Sequence, residues 1–148
     1  MSSERKLFYV AHPVSGNVAA NLQRTRRWYR WLTKTYPEHV FIAPWIVHVE
    51  EFDDSNPEER AAGLDGDVIT VKRCDGIVLV GGRLSEGMTV ERGAATAIVD
   101  FLHLGDEPPR PGPRPEFVLQ PGDQGPHKTP VLLRLPSGQH TRVFLSIE

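Results

Sequence analysis

Residues 75–82 read DGIVLVGG, and residues 83–95 continue RLSEGMTVERGAA; the first of these runs decides the fold. Ile77, Val78, Leu79 and Val80 follow one another with no polar alternation. A strand with one wet face would alternate, so this run belongs at the centre of a parallel sheet covered on both faces. Gly81 and Gly82 end it and a polar loop follows. The spacing then predicts a helix from about Thr89 to Leu104, with Val90, Ala94, Ala97, Phe101 and Leu104 as its apolar stripe and Gly105 as its C′ residue.

Working outward toward the N-terminus, the same strand-then-helix pattern recurs twice. KLFYVA at residues 6–11 reads as a buried strand stopped by His12-Pro13. The loop PVSGN leads into a helix from about Asn17, whose apolar positions are Val18, Leu22, Tyr29 and Leu32. Arg24, Arg26, Arg27 and Arg30 read as its solvated surface, and Trp28 and Trp31 cover core or an interface between copies. HVFIAPW at residues 39–45 reads as a second strand running into a loop, with 46–56 irregular and acid-rich. Ser55 or Asn56 caps the next helix, Pro57 takes its first position, and Glu58 and Glu59 suit its positive end. Ala61, Leu64, Val68 and Val71 are expected to form its buried face, with Gly63 and Gly66 weakening or kinking it. Three strand–helix repeats imply βαβ units. The expected class is α/β, a Rossmann-like or flavodoxin-like parallel sheet with flanking helices.

Beyond this body the texture changes. Of 13 prolines, four precede residue 108 and nine fall between Pro108 and Pro136. DEPPRPGPRP at residues 106–115 cannot be helical. Two later stretches, 130–135 and 141–147, read as strands joined by a turn at PSGQ. The expected organisation is therefore an α/β domain over residues 1–105 and a proline-rich extension over 106–148 ending in a β-hairpin.

Composition narrows the function. The 148 residues carry 17 basic and 19 acidic side chains, a net charge of -2, which offers no global field for nucleic acid. Cys74 is the only cysteine, which excludes a disulfide framework within the chain and paired-cysteine zinc motifs, and suits a reducing compartment. The N-terminal residues lack the apolar run of a signal peptide, and no stretch approaches a membrane span. A cytoplasmic protein that engages neither membrane nor nucleic acid is expected.

In open α/β sheets ligands bind beyond the carboxyl ends of the strands. Three loops meet that condition: HPVSGN, PWIVHVEE and GRLSEGM. The first and third each open a helix, whose free N–H groups suit an anion. Ser15, Gly16 and Asn17 form one candidate anion site, and Ser85, Gly87 and Met88 another. Either is also ordinary helix capping when taken alone, and the two together point to a phosphate-bearing ligand. Glu91 falls in the first turns of the helix after the central strand. Asp67 precedes that strand on a helix, and Asp75 opens the strand at the end away from the site. Trp45, His48 and His12 stand on the loops where a planar base could stack or be hydrogen-bonded. No cluster has metal-ligand spacing, so neither a catalytic metal nor another cofactor is expected.

YVAHPVSGN, CDGIVLVGG and SEGMTVERGAA together resemble the nucleoside 2-deoxyribosyltransferase-like superfamily over about residues 6–104. That group includes deoxyribosyltransferases and nucleoside 5′-monophosphate N-glycosidases. The resemblance implies that Glu91 is the nucleophile that attacks the anomeric carbon. It also implies that Asp67 contacts the base and supplies its proton, and that Tyr9 lies beside the nucleophile. The loop Pro13–Asn17 then matches the family's first phosphate-contacting loop. Ser85 stands where the transferases carry an aspartate and where the monophosphate N-glycosidases carry a phosphate-binding serine. The implied activity is hydrolysis of the base–sugar bond of a (deoxy)nucleoside 5′-monophosphate. Base exchange between nucleosides and non-catalytic nucleotide sensing are the alternatives. Such relatives commonly assemble as dimers or larger, so a homo-oligomer is expected.

Overall fold

A computed structural model describes residues 5–53, 55–123, 128–134 and 140–146, the last two stretches by their backbone alone. The body is an α/β fold with a five-stranded sheet in the order β2-β1-β3-β4-β5. Its strands are β1 (Leu7–Ala11), β2 (Val40–Ile42), β3 (Gly76–Leu79), β4 (Ala97–Asp100) and β5 (Gln120–Pro121). β1 pairs parallel with β2 and β3, and β3 parallel with β4. β5 returns antiparallel along β4, so the sheet is mixed and not wholly parallel. The four helices are α1 (Val18–Thr35), α2 (Trp45–Glu51), α3 (Pro57–Arg73) and α4 (Glu86–Gly93).

The central run behaves as its composition requires. All four residues of β3 are buried, and so is Val80 just beyond. Side chains alternate across a strand, which divides the core in two. Phe8, Val10, Val78, Val80 and Val99 face α1 and pack with Trp28, Leu32 and Tyr36. Tyr9, Ala11, Ile77, Leu79 and Ile98 face the other way and pack with Trp45, Val71 and Met88. The alternation thus sends the Tyr9 side chain to the side of α2, α3 and α4, where the site lies.

Several further sequence expectations are corrected. The helix expected over 89–104 is three elements: α4, then β4, then a short 3-10 turn at Leu102–Leu104. The stripe 90/94/97/101/104 had helical spacing, but it left Val99 opposite the stripe and Ile98 at its edge. As residues of β4 both are buried, which gains roughly 1.5–3 kcal/mol for each. Gly105 does follow a helical turn, with φ of 100°. The stretch 46–56 is not wholly irregular, because Trp45–Glu51 is helical. Trp45 anchors it by donating its indole N–H to the Val10 carbonyl at 2.7 Å.

The buried face of α1 is Asn21, Thr25, Trp28 and Leu32, while Val18 and Tyr29 are exposed. Trp28 is core, and its indole N–H donates to the Asp106 carbonyl at 2.8 Å. On α3 the buried residues are Gly63, Asp67 and Val71, and Ala61 is exposed. The helix runs unbroken through both glycines, capped by the Asn56 side chain, which accepts from Glu58 and Glu59 N–H.

The proline-rich segment lies against the α1 face. Tyr36 donates its hydroxyl to the Pro115 carbonyl at 2.5 Å. Phe117 packs among Phe8, Tyr36, His39 and Phe101, with ring centroids 4.8 to 5.9 Å away. Residues 128–134 and 140–146 pair antiparallel as a separate two-stranded ribbon. The turn expected at 136–139 lies outside the described residues.

Candidate active site

The chain leaves β1 toward β2 on one side, and β3 then pairs with β1 on the other. The crevice between the carboxyl ends of β1 and β3 is therefore the place where a ligand is expected. A cleft of about 380 Å³ opens there, within the range of small-molecule sites. The loops after β1 and β3 bring His12, Ser15 and Ser85 to it, α2 and α3 wall one side, and the first turns of α4 close the floor.

Glu91 and Met88 are the buried residues of α4, one helical turn apart and facing the sheet. Tyr9, wholly buried on β1, donates its hydroxyl to Glu91 Oε2. Burial pushes the Glu91 carboxyl up to about 8; the Tyr9 bond opposes the shift and the nearby Asp67 charge adds to it. Burial likewise raises the Tyr9 hydroxyl, which stays a donor at any ordinary pH, with the charges of Glu91 and Asp67 adding to the effect. The third member is Asp67, 8% exposed on the inner face of α3. Burial raises its carboxyl also, while His48 draws it down. His48 Nδ1 lies 2.9 Å from Asp67 Oδ1. Two buried carboxylates and a phenol in mutual electrostatic reach have the composition of an acid–base and nucleophilic site.

The other sequence candidates fall around this centre. Ser85 caps α4, its hydroxyl accepting from Met88 N–H at 3.3 Å, while Met88 itself is buried. Asn17 caps α1 by accepting from Ala20 N–H at 3.1 Å. A Cβ at Gly16 or Gly87 would meet nothing within 4 Å, so the loop after β1 and the first turn of α4 have open space beside them. Trp45 and His48 sit on a helix and not on the expected loop, and both line the cleft. The Trp45 indole N–H is committed to the backbone and His48 Nδ1 to Asp67, so neither of those donors is left for a base. His12 is buried at the cleft, with Nδ1 2.6 Å from the Pro13 carbonyl. Burial lowers its basicity, and its Nε2 has no partner among the described residues. Asp75 lies at the far end of the sheet, accepting from Leu7 N–H at 2.7 Å.

Several site residues escaped sequence reasoning. Val49 and Phe52 join Trp45 and His48 along the cleft at helical spacing, a period masked by the β-branched residues between them. Glu59, Arg60, Gly63 and Leu64 do the same on α3, in phase with Asp67. Asn21 is buried and donates to the carbonyls of Val14 at 2.8 Å and Ser15 at 3.3 Å. Arg83 donates to the same Ser15 carbonyl at 3.2 Å, tying the loop after β3 to the loop after β1. Asn21 stood out in no sequence pattern, because its partners are backbone atoms. Among the described residues no three His, Cys, Asp or Glu side chains are placed to hold a metal, and no helix is long and apolar enough to cross a membrane.

These features define an α/β protein with a carboxylate-lined cleft at the sheet's switch point. The chain belongs to the family described as domain of unknown function (DUF7768), whose model matches residues 6–99. That match covers β1 through most of β4, and so every residue of the Tyr9–Glu91–Asp67 cluster. No curated protein matches the sequence.

Proposed function

We propose that this protein hydrolyses the N-glycosidic bond of a (deoxy)nucleoside 5′-monophosphate, releasing the free base and (deoxy)ribose 5-phosphate. The observation that carries the reading is the meeting of Glu91 and Asp67 in one cleft at the carboxyl ends of β1 and β3, with Tyr9 buried against both. The strand order 2-1-3-4, known from flavodoxin-like sheets, agrees with it.

Breaking the bond leaves positive charge on the anomeric carbon, which a carboxylate can trap. Ionised Glu91 attacks that carbon, the C–N bond breaks, and its electron pair leaves on the base nitrogen. Asp67 gives that nitrogen its proton. Water then attacks the glycosyl ester, surrenders a proton to Asp67, and frees Glu91. Tyr9 holds Glu91 in line and stabilises its charged form. The open space beside Gly16 and Gly87 and the helix N-termini behind them suit the 5′-phosphate. In this reading the protein works as a soluble homo-oligomer in the cytoplasm.

A second reading is base exchange on unphosphorylated nucleosides. It is favoured by Glu86, a carboxylate lining the cleft next to Ser85, where a phosphate would meet repulsion. One assay separates the two. The protein is incubated with a panel of nucleosides and their 5′-monophosphates, with and without an added acceptor base, and products are resolved by chromatography. Free base from monophosphates in wild type, lost in Glu91→Ala, supports hydrolysis. Exchange on free nucleosides moves the reading to the transferase. Turnover of nothing in the panel, or full activity in Glu91→Ala, overturns both.

A further inference from the structure

The ring of His48 is held more closely than a cleft wall needs. It lies parallel to Phe52, with centroids 5.5 Å apart and planes within 6°. Its other neighbours are the two glycines of α3. A Cβ on Gly66 would lie 3.2 Å from His48 Cε1, and one on Gly63 would lie 3.5 Å from His48 Cβ. A Cβ at Gly63 would make only an ordinary contact, whereas one at Gly66 would press on the ring edge, so the absence of a side chain at Gly66 leaves room for the ring where Nδ1 lies 2.9 Å from Asp67. Gly66 costs helix propensity at a position where a side chain would crowd the ring.

The two partners differ in their access to water. The Asp67 side chain is 12% exposed and the His48 side chain 33%. Nε2 of His48 forms no hydrogen bond among the described residues, and the ring borders the open cleft. The other ionisable groups lining the cleft are His12 after β1, Glu59 and Arg60 on α3, and Glu86 and Glu91 on α4. None of these is in an ion pair with His48 among the described residues.

A buried acid that gives up its proton leaves an uncompensated buried charge, which is costly. We infer that His48 is a positioning residue that compensates this charge, holding Asp67 Oδ1 through Nδ1–H and binding a water-borne proton at Nε2. The inference rests on the glycosidase reading above. In the first step the proton on Asp67 Oδ2 passes to the leaving nitrogen, while water protonates Nε2 to leave an imidazolium beside the new carboxylate. In the second step the attacking water gives its proton back to Oδ2, and Nε2 returns its own to solvent. The pair is neutral at the start, at the intermediate and at the end.

The test compares two leaving groups in single turnovers of wild type and His48→Phe, a change that keeps an aromatic ring against Phe52. One is the base of a nucleoside monophosphate that the wild type cleaves, which must be protonated to leave. The other is 4-nitrophenolate on the same sugar phosphate, which leaves without a proton. The expected result is a loss of about 10²-fold in base release and a change within about threefold for 4-nitrophenolate. Equal losses on both substrates, or no loss on either, overturn the inference. The imidazole ¹⁵N spectrum reports on the pair without turnover: Nδ1 of His48 should be protonated in wild type, and that preference should vanish in Asp67→Ala. A spectrum indifferent to Asp67→Ala also overturns it. A wild type that cleaves neither substrate overturns the glycosidase reading and the compensation step with it, while the spectrum still decides whether the two side chains are paired.

Discussion

The hydroxyl of Tyr9 donates to Glu91 across 82 residues of chain, joining strand β1 and helix α4 through one buried pair. Both side chains are almost wholly out of solvent. A carboxylate in that setting keeps its charge only as far as its hydrogen bonds allow. Tyr9→Phe removes the one side-chain bond that holds the Glu91 carboxyl down, so its pKa should rise further above 8. A hydrogen bond to a charged group is worth roughly 1.5–3 kcal/mol, or about one to two pH units. The measurement is kcat/KM against pH. The limb that Glu91 sets should lie near pH 8 in wild type and move to higher pH in Tyr9→Phe.

The same shift makes stability depend on pH. Glu91 has a folded pKa of about 8 against an ordinary 4.5. The folded state therefore holds a proton that the unfolded state has lost over that interval. Stability from this group is complete below about 4.5 and falls as pH rises to about 8. The linkage amounts to about 4–5 kcal/mol, so Glu91→Gln should gain on wild type by that order between pH 4 and pH 8.5. Its activity should fall on the order of 10³-fold or more. Thermal unfolding at several pH values checks the first outcome, and the nucleotide assay the second.

Asn21 shapes the loop after β1 without touching the carboxylate cluster. Asn21→Leu strands the Val14 and Ser15 carbonyls that its amide now satisfies. The expected cost is about 1–2 kcal/mol in stability. If the Ser15–Asn17 loop holds a phosphate, KM for a monophosphate should rise while kcat changes little. Steady-state kinetics on the preferred substrate separates the two.

Phe117 ties the proline-rich segment to the sheet. It is half-buried, so Phe117→Ala should cost somewhat less than the 3–5 kcal/mol of a fully buried ring, about 2–3 kcal/mol. Truncation after Gly105 should cost more. It also uncovers Phe8, Tyr36 and Phe101, and removes the carbonyls that receive Tyr36 and Trp28. Urea denaturation measures both, and a truncated protein as stable as the full chain would contradict the packing.

What was legible in the sequence was whatever depends on neighbours along the chain. The apolar run at 77–80 announced the central strand, because a strand buried on both faces needs no alternation. Asn17, Asn56 and Ser85 could be read as caps, because a cap acts on N–H groups two or three residues away. Asp67 and Glu91 could be singled out as carboxylates near the expected crevice. Local pattern failed where two structures satisfied the same spacing. Residues 89–104 carried a helical stripe, yet the sheet had room for β4, and only burial of Ile98 and Val99 against β3 separates the two solutions. Trp45–Glu51 looked irregular because β-branched residues hid its period, and packing of Trp45 on β1 made it helical. Tyr9 beside Glu91 was implied by resemblance, but tertiary structure alone decided that His48 meets Asp67 and that Gly66 makes way for an imidazole. Hydrogen bonds and close contacts between distant residues leave no periodicity in the chain; they exist only once the sheet has brought β1 and β3 together and fixed the faces of α2, α3 and α4.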